Sequence, residues 1–142
     1  MTKREWCRIF TVTAVVFTTT LIWMAEPCIA GGGKYTYKKG FTSQKIDQEI
    51  KKRIQGRSYK KGAKISLDTL RYLQVRYIDF DGNVQEGEMI VNKKIARRTL
   101  KVFYQLYKLR YPIEKMKLVD EYGAEDEASM ADNNTSAFNY RK

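Results

Sequence analysis

The chain has no histidine. That absence removes imidazole from its chemistry, so neither a Ser/His nor a Cys/His nucleophile can be assembled and no zinc can be held by histidine. Cysteine is nearly as scarce. Both residues, Cys7 and Cys28, stand near the N-terminus, which leaves the body of the chain without a disulfide or a thiolate metal site. A phosphate-cradling glycine loop is missing too, because Gly31-Gly32-Gly33 runs into Lys34 rather than into a helix start. No internal repeat is visible, and 142 residues suffice for one domain at most. Acidic residues are sparse between Lys34 and Lys64, where Asp47 and Glu49 stand against eleven basic side chains.

What is present is apolar, aromatic and basic. A hydrophobic fraction of 43% with 13% aromatic residues argues for a folded chain rather than a disordered one. The 27 basic and 16 acidic residues give a net charge of +11, which favours anionic surfaces such as wall polymers, phospholipid headgroups or nucleic acid. Lys3, Arg4 and Arg8 precede an apolar run from Ile9 to Ala25, and Ala30 then meets Gly31. A positive start, an apolar middle and a small residue before glycine make residues 1–30 a secretory signal peptide, with cleavage between Ala30 and Gly31. Left uncleaved, the run 9–25 would span about 25 Å as a helix and serve as a membrane anchor. Either way the expected location is secreted or in the cell envelope. Without those thirty residues the chain loses Lys3, Arg4, Arg8, Glu5 and Glu26 and keeps a net charge of +10.

Residues 31–40, rich in Gly, Lys and Tyr and without apolar period, read as a flexible linker, and 41–142 as the domain. Thr42 can cap a helix in which Ile46, Ile50 and Ile54 recur at four-residue spacing, with Phe41 as a staple on Ile46 and Gly56 at the end. Lys51, Lys52 and Arg53 would form its solvated outer face. From Leu70 to Phe80 apolar and polar residues alternate, Asp81-Gly82-Asn83 supplies a tight turn, and Val84 to Val91 returns, which predicts a β-hairpin. Asn92 caps a long helix from Lys93 to about Arg110, whose broad apolar face is Ile95, Leu100, Val102, Phe103, Leu106 and Leu109. Tyr111-Pro112 stops it. Ile113 to Val119 reads as a third strand that delivers the chain to an acidic loop and a closing strand. This order predicts an α+β fold with a mainly antiparallel sheet.

The acidic loop crowds Asp120, Glu121, Glu125, Asp126, Glu127 and Asp132 together, then gives way to Asn133-Asn134-Thr135-Ser136 and Phe138-Asn139-Tyr140-Arg141. Composition alone makes it a solvated loop leading into a strand. Its carboxylates do not follow the spacing of a calcium loop. As a string it resembles a segment of bacterial zinc peptidases of the D-alanyl-D-alanine carboxypeptidase and L-alanyl-D-glutamate endopeptidase family, which cut peptidoglycan stem peptides. Asp120, Tyr122, Asp126, Ser129-Met130, Asn133 to Asn139 and Arg141 carry the resemblance. The hairpin turn Asp81-Gly82, the return Gly87-x-Met89-Ile90-Val91-Asn92 and the step Tyr111-Pro112-Ile113 extend it back to about Ile46.

In that family the zinc ligands come from a Ser-x-His-x-x-Gly-x-Ala-x-Asp motif and a later histidine. The resemblance therefore covers the N-terminal half of the family domain and none of its metal site. It implies an inactive, truncated peptidase-like chain that holds no cofactor itself, zinc belonging to the full-length family. Arg141 stands where the family has an arginine that anchors the scissile carbonyl, a latent role here, as guanidinium suits developing negative charge. The alternative is a non-catalytic exported basic module that binds anionic cell-wall polymer. Basic residues mixed with Tyr35, Tyr37, Phe41 and Tyr59 could also track nucleic acid, but an exported protein meets wall polymers first. A membrane partner is expected only through the N-terminal segment.

Overall fold

The computed structural model describes residues 33–141. Residues 1–30, the cleavage pair Ala30 and Gly31, and the apolar run 9–25 lie outside the described residues. No helix among the described residues is long and apolar enough to cross a membrane.

The fold is α+β. Four antiparallel strands in the order β1 (Tyr35–Lys38), β2 (Phe41–Gln44), β3 (Leu70–Ile78) and β4 (Val84–Asn92) form one sheet. Three helices accompany it: α1 (Gln48–Ile54), α2 (Ala96–Lys108) and α3 (Asp126–Ala131). The predicted hairpin is present as β3 and β4, paired from Leu70 with Asn92 to Ile78 with Val84. Its turn closes through Asp79 N–H to Asn83 O at 3.0 Å and Gly82 N–H to Asp79 O at 3.1 Å, with Gly82 at φ 85°.

Side chains alternate across a strand, so β3 contributes to two separate cores. Leu73, Val75 and Tyr77 pack with Phe41, Met89, Val91, Leu100 and Met116 beneath α2. On the opposite face Leu70 and Tyr72 pack with Ile50, Ile54, Ile90 and Leu118 beneath α1. Tyr104 closes the first core at its edge, its ring meeting Tyr37 at 5.6 Å and Phe41 at 5.3 Å in edge-to-face geometry.

Four local expectations give way. Residues 31–40 are not linker throughout: Tyr35–Lys38 is a strand, because Tyr37 finds the aromatic edge of the core and Thr36 pairs with Thr42. Phe41–Gln44 is strand rather than helix start, with Phe41 1% exposed. The helix begins later, and Asp47 caps it through Ile50 N–H to Oδ1 at 2.8 Å. Arg53 is no solvated lysine-like charge but is drawn inward, as described below. Ile113 to Val119 buries Ile113, Met116, Leu118 and Val119 but forms no strand. It runs along the hairpin through single bonds, Ile113 N–H to Ile78 O at 2.8 Å and Glu88 N–H to Met116 O at 2.9 Å. Its alternation reports burial, not pairing.

The long helix is shorter than predicted, and Asn92 serves the turn before it, accepting from Lys94 N–H at 2.9 Å. Its predicted apolar face is only half used. Leu100 is fully buried and Phe103 and Leu106 pack against the core, while Ile95, Val102 and Leu109 are 49%, 56% and 77% exposed. Tyr104 and Tyr107 take the places those residues were expected to fill.

Candidate functional site

The stretch from Leu118 to Arg141 is neither a solvated loop nor a closing strand. Val119–Tyr122 forms a 3-10 turn, Gly123 leaves it at φ 66°, and α3 follows, after which the chain runs without regular structure to Arg141. Four of the six crowded carboxylates go to different partners, while Glu125 and Glu127 stay exposed, as expected of a solvated loop. Asp120, 2% exposed, turns into the molecule and accepts from Ser58 N–H at 3.0 Å and Ser58 Oγ at 2.8 Å. Ser58 is itself fully buried, so the pair ties the end of α1 to the start of the loop. A carboxyl and a hydroxyl buried together need such hydrogen bonds to offset the lost hydration.

Glu121 and Glu88 converge on Arg53. Its guanidinium donates to both oxygens of Glu88, at 2.9 and 2.5 Å, and to Glu121 at 2.8 Å, while Tyr72 Oη donates to Glu88 at 2.6 Å. Burial opposes ionisation of Glu88, but the bonds from Arg53 and Tyr72 outweigh it and hold the carboxyl below its ordinary range. The hydrogen bond to Glu88 raises Arg53 against the opposing effect of burial. Burial, reinforced by Glu88, pushes the Tyr72 phenol upward. Together the three side chains form a hydrogen-bonded clamp that ties α1 to the hairpin, with Glu121 of the loop joined through Arg53.

Asp132 pairs with Lys115 and accepts from Tyr122 Oη at 2.7 Å. Lys115 and Tyr122 lower the Asp132 carboxyl, and burial together with Asp132 pushes Tyr122 up to about 12. Asn134 bridges two elements, accepting from Lys117 N–H at 2.8 Å and donating to Lys117 O at 3.0 Å and Ser129 Oγ at 2.9 Å.

Around Asp126 these elements border an open groove of about 520 Å³, with Ser129, Asn134, Asn139 and Arg141 among its walls. Asn139 Nδ2 donates to Asp126 Oδ1 at 2.9 Å and to Ala124 O at 3.0 Å; its Oδ1 is buried with no hydrogen-bond partner among the described residues. Arg141 meets Asp126 Oδ2 at 2.6 Å and remains 73% exposed. The bond from Asn139, followed by the charge of Arg141, keeps the Asp126 carboxyl low. Arg141 is thus aimed by a carboxylate and still open to an incoming group, an arrangement that can receive a carbonyl or carboxylate oxygen.

Among the described residues no group of three or more Cys, Asp or Glu converges as a metal site would require. The clamp at Arg53, the buried Asp120–Ser58 pair and the role of Asp126 as the anchor of Arg141 were not legible in the sequence, since each joins residues distant along the chain. Compared with protein-family models, with curated proteins and with solved structures, the chain gives no match.

Proposed function

We propose that the domain is the non-metal half of a peptidoglycan stem-peptide peptidase of the zinc D-alanyl-D-alanine carboxypeptidase type, acting in the cell envelope or outside the cell. The groove beside Arg141 faces substrate in this reading, and the guanidinium receives a carbonyl or carboxylate of the stem peptide. One observation supports it above others. The residues that carry the resemblance are those that build the loop: Asp120 holds Ser58, Tyr122 holds Asp132, Asn134 holds Ser129, and Asp126 holds both Asn139 and Arg141. A string whose side chains pack the loop and aim one arginine is what a substrate wall needs.

Without histidine this chain does not itself assemble the zinc-bound water that such chemistry uses. The expected outcome of dialysis against zinc is no stoichiometric metal, and of incubation with muropeptides no release of D-alanine and no cleavage of L-Ala-D-Glu by mass spectrometry. A stem peptide ending in D-Ala-D-Ala should shift the NMR signals of Asp126, Asn139 and Arg141, and Arg141→Ala should remove those shifts. Stoichiometric zinc with chelator-sensitive turnover would overturn the first statement. Peptide shifts located elsewhere would overturn the second.

A second reading, a non-catalytic exported module that binds anionic wall polymer, is favoured by the basic stretch from Lys34 to Lys64. Arg53 alone of its cations forms an ion pair among the described residues; Arg57 donates to Asp120 O and Lys34 to Gln74 Oε1, and exposed lysines such as Lys52, Lys60 and Lys61 face solvent.

A further inference from the structure

The residues from Asn92 to Arg110 contain seven basic side chains and no acidic one. Lys93, Lys94, Arg97, Arg98, Lys101 and Lys108 are exposed, and none forms an ion pair among the described residues. Arg97 instead lies over the Tyr35 ring, 4.7 Å from its centroid. At 3.6 residues per turn, the N-cap Ile95, Val102 and the C-cap Leu109 fall within about 40° of one another on the helix wheel, directly beside the line of Arg98, Lys101 and Lys108, with Lys94 in the entry turn. The outer surface of α2 is therefore an apolar stripe bordered by a cationic one.

Two more large apolar side chains are exposed near the end of the helix. Arg110 donates to Gly82 O at 3.1 Å and brings the hairpin tip to the end of α2. There Phe80 and Tyr111 are exposed by 67% and 57%. Asp79 and Asp81 are the acidic residues of that tip. The Asp79 carboxylate is turned back into its own loop by Asn83 N–H and Gln85 Nε2, both at 2.8 Å.

We propose that this face of α2 docks on the surface of an anionic phospholipid bilayer. Ile95, Val102 and Leu109 enter the acyl boundary, and the flanking lysines and arginines meet headgroup phosphates, with their alkyl stems lying along the interface. Charge complementarity and the apolar stripe together select this occupant. A soluble polyanion would neutralise the cations and leave the apolar residues in water, whereas a second copy would bring the same cations against each other. This contact is separate from any contact through residues 9–25 and places the membrane on the α2 side of the sheet, while the Arg141 groove is built by the Leu118–Arg141 loop.

The test uses residues 31–142, which contain both cores and lack the N-terminal apolar run that would itself enter lipid. Vesicles of phosphatidylcholine with and without phosphatidylglycerol are sedimented with the protein. Binding is expected only when the anionic lipid is present. Lys94→Glu, Arg98→Glu and Lys101→Glu together should lower partitioning by at least about 100-fold, and Val102→Ser with Leu109→Ser by roughly tenfold. The described residues contain no tryptophan, so Val102→Trp provides a single reporter whose emission should shift to the blue on anionic vesicles. All these positions are exposed, and far-ultraviolet circular dichroism confirms that each variant is folded. Failure to bind anionic vesicles overturns the proposal. So does binding that survives the serine pair with an unshifted Trp emission, a result that would assign the cations to a polyphosphate-like wall polymer or an acidic protein.

Discussion

Asp120 shows how one side chain in the acidic stretch can have a role unlike its neighbours'. Its two bonds to Ser58 are buried, so Asp120→Ala leaves a buried hydroxyl and amide without an acceptor. The expected cost is about 1–3 kcal/mol, measured by urea denaturation. Asp120→Asn should retain part of it, since one oxygen still accepts. Glu88 gives a pH dependence of known sign. A carboxyl held below its unfolded value of about 4.3 contributes stability that is complete above that pH and is lost as pH falls through the folded pKa. Asp126 and Asp132, both lowered, act in the same direction. Thermal melts of the parent protein should therefore lose stability below about pH 4, and Glu88→Gln should flatten that acid limb while lowering stability at neutral pH. An unchanged acid limb in the variant would remove the clamp from the explanation.

Between elements, a close backbone fit lies at Gly87 on β4. A Cβ placed there would stand 2.6 Å from Met116 Cβ and 3.1 Å from the Tyr77 ring. Glycine is required because the segment from Ile113 to Leu118 lies hard against this edge and covers it, which protects an otherwise open strand edge. Gly87→Ala is expected to cost about 1–3 kcal/mol by overpacking and to speed hydrogen exchange at Glu88 N–H, whose acceptor is Met116 O. A neutral substitution would mean that the segment yields. The same contact explains why the segment reads as a strand in the sequence. Its apolar alternation is real, but Glu88 is the one β4 residue that bonds to Met116, and a strand needs a continuous ladder.

Over the whole molecule, basic charge exceeds acidic charge on every reading of the N-terminus. Lys51 and Lys52 remain available, whereas Arg53 is committed to Glu88 and Glu121. Retention on an anionic wall polymer should weaken when salt is raised, because exposed charges are screened within about 8 Å at physiological ionic strength. Lys51→Glu with Lys52→Glu should weaken it further without unfolding the protein. Arg53→Glu would instead place like charges together and destabilise the fold, so it does not test binding. Retention indifferent to both salt and the lysine pair would argue against an electrostatic contact through this stretch.

The hairpin, the α+β class and the presence of a helix on each side of Leu70–Asn92 were determined by sequence alone. Each rests on a short-range signal: alternation over nine residues, a turn at Gly82, and apolar residues at helical spacing. Local signals also misled where two structures were equally accessible. Phe41–Gln44 carries both a capping threonine and a strand pattern, and pairing with Gln74, Leu73 and Tyr72 decided for the strand. Tyr35–Lys38 has almost no period of its own and becomes a strand because β2 offers a ladder and Tyr104 an aromatic contact. The candidate site followed the same division. Its residue string was visible in the sequence, but which carboxylate is buried, which holds Arg53 and which aims Arg141 depends on partners many residues away. Only tertiary structure brings Ser58 to Asp120, or leaves Ile95, Val102 and Leu109 outside a core whose space the tyrosines had already filled.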